Sequence, residues 1–367
     1  MKRKILNPIT LFITATVIGC CNANDGLYTI EKAGEMPGFE KGYEYGVSAC
    51  YAASTDNELL IAGGCNFPGT PAAEGGKKVY YNGIYKTFTD TVFSWEKAGE
   101  LPEPSAYGVS VSHNGQWYII GGMNSEGSLK SVYSIEIATG ELKRLPSLPY
   151  AIDNAAGTIY NNTLYIIGGN DDGKASTRCF ALDIETSASW YEIPSIPGLP
   201  RVQPVCAAAD GHIYVWGGFS PKTEDHNAIV HCDGLRYDIA NFQWEHIGNI
   251  MAGEETITLS GGVAININET NIIACGGVDK DIFLDAISGQ YELVDKEDYM
   301  YKPDEWYRFN NRLMLYDTNK KCWNVVDTDS KFSRAGAQLV RQGNILYQIG
   351  GELKPGIRTP EIYRIEK

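Results

Sequence analysis

The chain has 367 residues, enough for a substantial core, and its 43% hydrophobic and 21% charged content is that of a globular protein. Its 40 glycines and 23 tyrosines, with little helical periodicity, point to an all-β chain rich in turns. A formal net charge of −14 excludes nucleic acid as a partner, because no basic field exists to displace phosphate counterions; an anionic small ligand would need a local basic pocket.

At the start of the chain, Lys2-Arg3-Lys4 is a positive segment and Ile5 to Ile18 is mostly apolar. Val17-Ile18-Gly19-Cys20 then resembles a bacterial lipoprotein signal. Residues 1–20 are expected to be a signal peptide with lipidation at Cys20; an ordinary cleaved signal with an incidental cysteine is the other reading. Both imply an exported bacterial protein, periplasmic or anchored at the outer membrane, with a lipid at Cys20 as its membrane contact. The apolar run is short for a span, and no other segment could cross a bilayer. The 9 cysteines form no CxxC pairs, and Cys50, Cys206 and Cys275 lie in apolar runs, so no chemistry is assigned to them.

Six apolar runs end in a glycine doublet: LLIAGG, WYIIGG, LYIIGG, IYVWGG, IIACGG and LYQIGG. The doublets at Gly63, Gly121, Gly168, Gly217, Gly276 and Gly350 are 58, 47, 49, 59 and 74 residues apart. Tyr237-Asp238 precedes Trp244 by the same interval that separates Tyr316-Asp317 from Trp323. Apolar strand, Gly-Gly, Tyr strand and Trp strand together resemble the kelch repeat, which implies a six-bladed β-propeller of four-stranded blades over residues 27–367. The last copy stops at Glu361-Ile362-Tyr363-Arg364-Ile365 without a Trp strand, while EKAGEMP from Glu31 nearly duplicates EKAGELP from Glu96. The amino-terminal strand is therefore expected to complete the carboxyl-terminal blade and close the ring.

The longest connections follow Gly64 and Gly277, between the Gly-Gly strand and the Tyr strand, and so share one face. Between them in ring order lies IGGELKPGIRT, with Glu352, Lys354 and Arg358. Charged residues on a surface loop are more often solvated than functional, whereas the flanking insertions and the Pro355-Gly356 turn favour a covered pocket. The residues alone leave both readings open. Arg201 and Arg334 each precede the first strand of a repeat, as further carboxylate ligands or as strand-end caps, and Tyr45 and Tyr107, each before Gly-Val-Ser, are read as packing residues.

The segment GELKPGIRT is similar to a Gly-Glu-x-Lys-Pro-Gly-x-Arg-Thr segment of the N-acetylneuraminate epimerase (sialic acid mutarotase) family. AYGVSVSHNGQWYIIGG from Ala106, GGVDKDIF from Gly276 and GGKKVYYNG from Gly75 fit the same family, in a circularly permuted order, while the long insertions agree only in patches. The resemblance implies an isomerase that interconverts the α and β anomers of N-acetylneuraminate or a related sugar acid without metal or cofactor. It also implies Glu352 as general base and Arg358 as substrate ligand; Lys354, Arg201 and Arg334 are further binding candidates by their charge and position alone. The alternative is a non-catalytic carbohydrate- or protein-binding kelch propeller. A copper oxidase would need converging histidines, but the 5 here are scattered, and a sialidase would need Ser-x-Asp-x-Gly-x-x-Trp turns, which the sequence lacks.

Overall fold

The computed structural model describes residues 28–186 and 188–367. Residues 1–20, expected to be a signal peptide, and Cys20 lie outside them. The described chain is built from antiparallel sheets, and each doublet run supplies the second strand of a four-stranded one, to which Ile229–Val230 adds a short fifth strand in the sheet of Gly217. The first sheet, for example, runs Tyr51–Ser54, Glu58–Ala62, Gly83–Phe88 and Glu96–Glu100. Second strands such as Gln116–Ile120 and Thr163–Ile167 are buried almost throughout, because sheets cover both faces; they therefore read as continuous apolar runs. Outer strands such as Glu96–Glu100 are largely exposed and mostly polar.

The first strand of each sheet lies against those of the sheets before and after it, and Gln338–Gln342 of the sixth lies against Tyr51–Ser54 of the first. Just ahead of these strands, six residues have left-handed backbones: Ala49, Tyr107, Asn154, Gln203, Gly261 and Gly336, with φ between 51 and 70°. Their main chains form an unbroken cycle of hydrogen bonds. Tyr107 N–H donates to Ala49 O (3.0 Å), Asn154 to Tyr107 (2.8 Å), Gln203 to Asn154 (2.8 Å), Gly261 to Gln203 (3.0 Å), Gly336 to Gly261 (2.7 Å) and Ala49 to Gly336 (2.7 Å).

The doublets occupy the same end of the sheets. Both glycines of every pair have positive φ, and a Cβ at Gly63, Gly121 or Gly276 would strike the carbonyl oxygen of Ser105, Ile152 or Arg334 in the following repeat. The second glycine turns that proximity into a bond, as Gly64 N–H donates to Ser105 O and Gly277 N–H to Arg334 O, each at 2.8 Å.

The last sheet is completed from the other end of the chain. Thr29–Glu35 pairs antiparallel with Glu361–Glu366, in the register Thr29 to Glu366 and Ile30 to Ile365. Trp95 of the first sheet donates its indole N–H to Glu35 O at 2.7 Å, so the amino-terminal strand is also tied to the next sheet. Trp190 and Trp244 make the same bond, to Pro146 O and Pro194 O.

The insertion after Gly277 contains a helix, Lys280–Ser288, which the sequence reading did not anticipate. Its ends are conventional: the Asp279 side chain accepts from the N–H groups of Asp281 and Ile282, and Gly289 closes it at φ 76°.

Candidate active site

Glu352–Lys354 and Ile357–Arg358 form a tight hairpin in which Glu352 sits directly opposite Arg358. Gly356, at φ 85°, turns the chain and donates its N–H to Glu352 Oε1 at 2.7 Å. The hairpin is seated on the hydrogen-bonded ring, since Ala335, beside Gly336, exchanges both backbone bonds with Glu352 at 2.7 and 3.0 Å.

The Arg358 side chain is only 4% exposed and that of Glu352 24%, with 2.9 Å between Nη1 and Oε1. Arg358 Nε donates to Ser48 Oγ at 3.1 Å, and the guanidinium carbon lies 5.0 Å from the Phe67 ring centre. Nη1, although at ion-pair distance, is not aligned with any hydrogen-bond acceptor of the described chain. Burial opposes the guanidinium charge, but Glu352, then Tyr107 and Cys65, outweigh it and hold the pKa above its ordinary value.

Two further groups complete the cluster. Lys78, from the first insertion, donates Nζ–H to the Tyr107 hydroxyl at 3.1 Å and lies 4.9 Å from that ring's centre. Burial pushes the Tyr107 phenol well above its usual pKa; Cys65 and Glu352 add to the effect and Arg358 opposes it. From the second insertion, Tyr307 donates its hydroxyl to Tyr299 O; burial raises both phenols, Tyr307 to about 12, and the Glu352 charge contributes to each.

The two insertions meet above the hairpin. Tyr301 donates to Ala73 O at 3.1 Å, and a Cβ on Gly356 would touch Ala72 from one insertion and Met300 from the other. A cavity of about 830 Å³ lies elsewhere. It is the channel lined by the first strands and opens among Asp56, Asn114, Asn266 and Gln342 at the opposite end. Its walls are rich in Gly, Ala, Ser and Val, so the chemistry is assigned to the lidded hairpin rather than to this channel.

The expected residues divide clearly. Glu352 and Arg358 come together, whereas Lys354 turns away to Lys302 O (2.8 Å) and Asp304 (3.5 Å), tethering the second insertion. Arg201 and Arg334 do not reach the cluster. Each donates Nη1–H to the first glycine of a doublet, Gly217 O or Gly350 O at 2.9 Å, and pairs with a carboxylate, Asp233 or Glu361. Of the two readings of these arginines, their contacts match the structural one. Tyr107 packs against the buried Ala49, Cys65 and Ala106, as expected, and its hydroxyl also accepts from Lys78, whereas Tyr45 is 59% exposed. Sequence reasoning also gave no role to Lys78, Phe67 or Ser48; the position of Lys78 in a long insertion on the correct face was the one available signal.

Antiparallel sheets around a hydrogen-bonded ring, with an acid–base pair under two lips at one mouth, define an all-β protein with a covered polar site. A sequence model of N-acetylneuraminate epimerase matches residues 19–143 and 145–366. The chain belongs to the N-acetylneuraminate epimerase family. It is 30% identical over 240 residues to the N-acetylneuraminate epimerase of Salmonella enteritidis PT4, covering 63% of this chain and 60% of that protein. It is 29% identical over 236 residues to N-acetylneuraminate epimerase 1 of Escherichia coli O6:H1, covering 62% and 61%. The chain thus spans about three fifths of the length of these relatives. The solved structure of YjhT is similar at a TM-score of 0.52 and 28% identity, covering 60% of this chain and 64% of that one.

Proposed function

We propose that this protein is a mutarotase that interconverts the α and β anomers of N-acetylneuraminate or a related sugar acid, and that its sheets are the blades of a closed six-bladed propeller. The observation that carries the functional reading is the charge of the cluster. Arg358 pairs with Glu352, and Lys78 joins the same cluster through Tyr107, so two cations are gathered at one mouth of a protein of net charge −14. Such a site suits an anionic sugar.

Glu352 removes the proton of the anomeric hydroxyl, the bond from that carbon to the ring oxygen breaks, and a carbonyl forms. The ring oxygen takes a proton, the open chain rotates about one bond, and the reverse steps close the ring on the other face. Arg358, with an unaligned buried N–H, anchors the substrate carboxylate so that only the reacting end turns. Family membership supports the substrate class, and the Lys2-Arg3-Lys4 to Cys20 segment supports export with a lipid anchor. Membrane fractionation of the natural chain and Cys20→Ser tests the anchor.

Anomer exchange of N-acetylneuraminate, followed by proton magnetization transfer, tests the function. Unmodified protein should accelerate exchange, and Glu352→Gln should lower kcat by roughly 100-fold or more while leaving the fold intact. Binding of the sugar without acceleration would establish the non-catalytic alternative instead.

A further inference from the structure

Mutarotation needs an acid as well as a base, because the ring oxygen must take up a proton as its bond to the anomeric carbon breaks. Water could serve, but a side chain fixed at the mouth supplies the proton from a constant position. The group best placed among the described residues is Tyr107.

Three observations converge on it. First, Lys78 donates into the Tyr107 hydroxyl, so one lone pair of that oxygen is occupied, and the other side chain bonded to this hydroxyl is the Cys65 thiol, a weak acceptor that a ligand oxygen can displace. Second, Lys78, which bonds the phenol, and Arg358, which pairs with Glu352, both lie over the Phe67 ring, at 5.8 and 5.0 Å from its centre, so the hydroxyl belongs to the same cluster as the carboxylate, and burial raises its pKa. Third, its backbone is held at φ 60°, a conformation that a bulky aromatic residue rarely adopts. The other ring positions hold Ala49, Asn154, Gln203, Gly261 and Gly336, so the ring itself does not require an aromatic residue. Its bonds to Ala49 and Asn154 fix Tyr107 in place and present its hydroxyl at the mouth.

We infer that Tyr107 is the catalytic acid that protonates the ring oxygen while Glu352 accepts the anomeric proton, with Lys78 stabilising the phenolate that results. This rests on the mutarotase reading. The electron pair of the breaking carbon–oxygen bond goes to the ring oxygen, which takes the Tyr107 proton. The alkoxide being released is a stronger base than an ordinary phenolate, and the burial of Tyr107 narrows that difference. Ring closure returns both protons, and neither side chain is changed by a full cycle. Lys78 acts through Tyr107 and is a positioning residue.

The test compares Tyr107→Phe, Lys78→Met, Lys78→Arg and Glu352→Gln in the same exchange assay, with near-ultraviolet circular dichroism confirming the native fold. Tyr107→Phe should lower kcat by roughly 100-fold with KM changed less than about threefold. Lys78→Met should lower kcat in the same sense, and Lys78→Arg, which keeps the charge, should restore most of it. If Tyr107→Phe keeps full kcat while Glu352→Gln is inactive, the acid assignment is wrong and the mutarotase reading survives. If the unmodified protein does not accelerate exchange, both fail together. A loss confined to KM would mark Tyr107 as a binding group and overturn its role as acid.

Discussion

Replacing Arg358 with methionine separates the stability of the site from its recognition of substrate. The side chain is 4% exposed and makes three kinds of contact: the 2.9 Å ion pair to Glu352, the 3.1 Å bond to Ser48 and the face of Phe67. Removing one partner of a buried pair costs about 3–5 kcal/mol because the other charge is left uncompensated. Glu352 is 24% exposed and retains the Gly356 N–H at 2.7 Å, which lowers the expected cost to about 2 kcal/mol. Methionine over Phe67 recovers a few tenths, about 0.5 kcal/mol, of that loss through sulfur–aromatic contact. Urea unfolding of Arg358→Met, Glu352→Gln and the double variant measures the coupling, which should exceed about 1 kcal/mol because Gln removes the carboxylate that Arg358 neutralises. In the exchange assay, losing the charged fork should raise KM by about 10- to 100-fold, equivalent to about 1.4–2.8 kcal/mol. Additive destabilisation, together with an unchanged KM, would refute both the pair and the anion clamp.

Two further outcomes test the closing sheet. Glu361 accepts from Tyr363 (2.8 Å) and Lys32 (3.3 Å) and lies 3.4 Å from Arg334. Burial opposes its charge, but these partners prevail and hold its pKa below the ordinary 4.5. A depressed folded pKa means the contribution is complete above about pH 4.5 and is lost as pH falls through the lower, folded value. Urea midpoints measured between about pH 6 and 3 should therefore fall less steeply for Glu361→Gln than for the natural chain; identical slopes would contradict the assignment. Deleting Thr29–Glu35 should leave Glu361–Glu366 as an open edge and Trp95 without its carbonyl acceptor, giving self-association on size-exclusion chromatography. A monomer with an unchanged unfolding midpoint would show that this strand does not hold the last sheet.

How much of this could be read from the sequence depends on how specific each structural demand is. The doublets were legible because positive φ and the close approach of the next repeat's carbonyl exclude nearly everything but glycine. The amino-terminal strand was legible because its residues nearly duplicate Glu96–Glu100, the outer strand of the first sheet. Tyr107 was not, because the ring fixes a backbone conformation and leaves the side chain free; Ala, Tyr, Asn, Gln and Gly all occupy it. The shared Gly-Val-Ser also misled: Tyr107 aligns structurally with Ala49, not with Tyr45, so the motif matches in letters but not in position. Arg201 and Arg334 failed differently. Their place before a first strand was read correctly, but whether the side chain turns to the channel or to a doublet carbonyl depends on an acid in the third strand, Asp233 or Glu361.

The freedom left by the ring explains how nearly equivalent sheets can build an asymmetric site. The three sheets carrying the first insertion, the second insertion and the Glu352 hairpin are preceded by Ala49, Gly261 and Gly336. The other three are preceded by Tyr107, Asn154 and Gln203, and Gln203 donates to Asn154 Oδ1 at 2.9 Å. In ring order, then, the small residues form one contiguous half and the large polar residues the other. Where a connection must descend toward the mouth, the ring residue beneath it is small; where no long connection descends, a polar side chain stands up instead. A Cβ on Gly336 would already lie 3.4 Å from Ser48, the residue that receives the Arg358 bond, so a longer side chain there would compete with the hairpin for the same space. The hairpin's acid and guanidinium on one side and the hydroxyl and amides on the other thus face each other across the mouth because side-chain size alternates by half-ring while the backbone beneath stays the same.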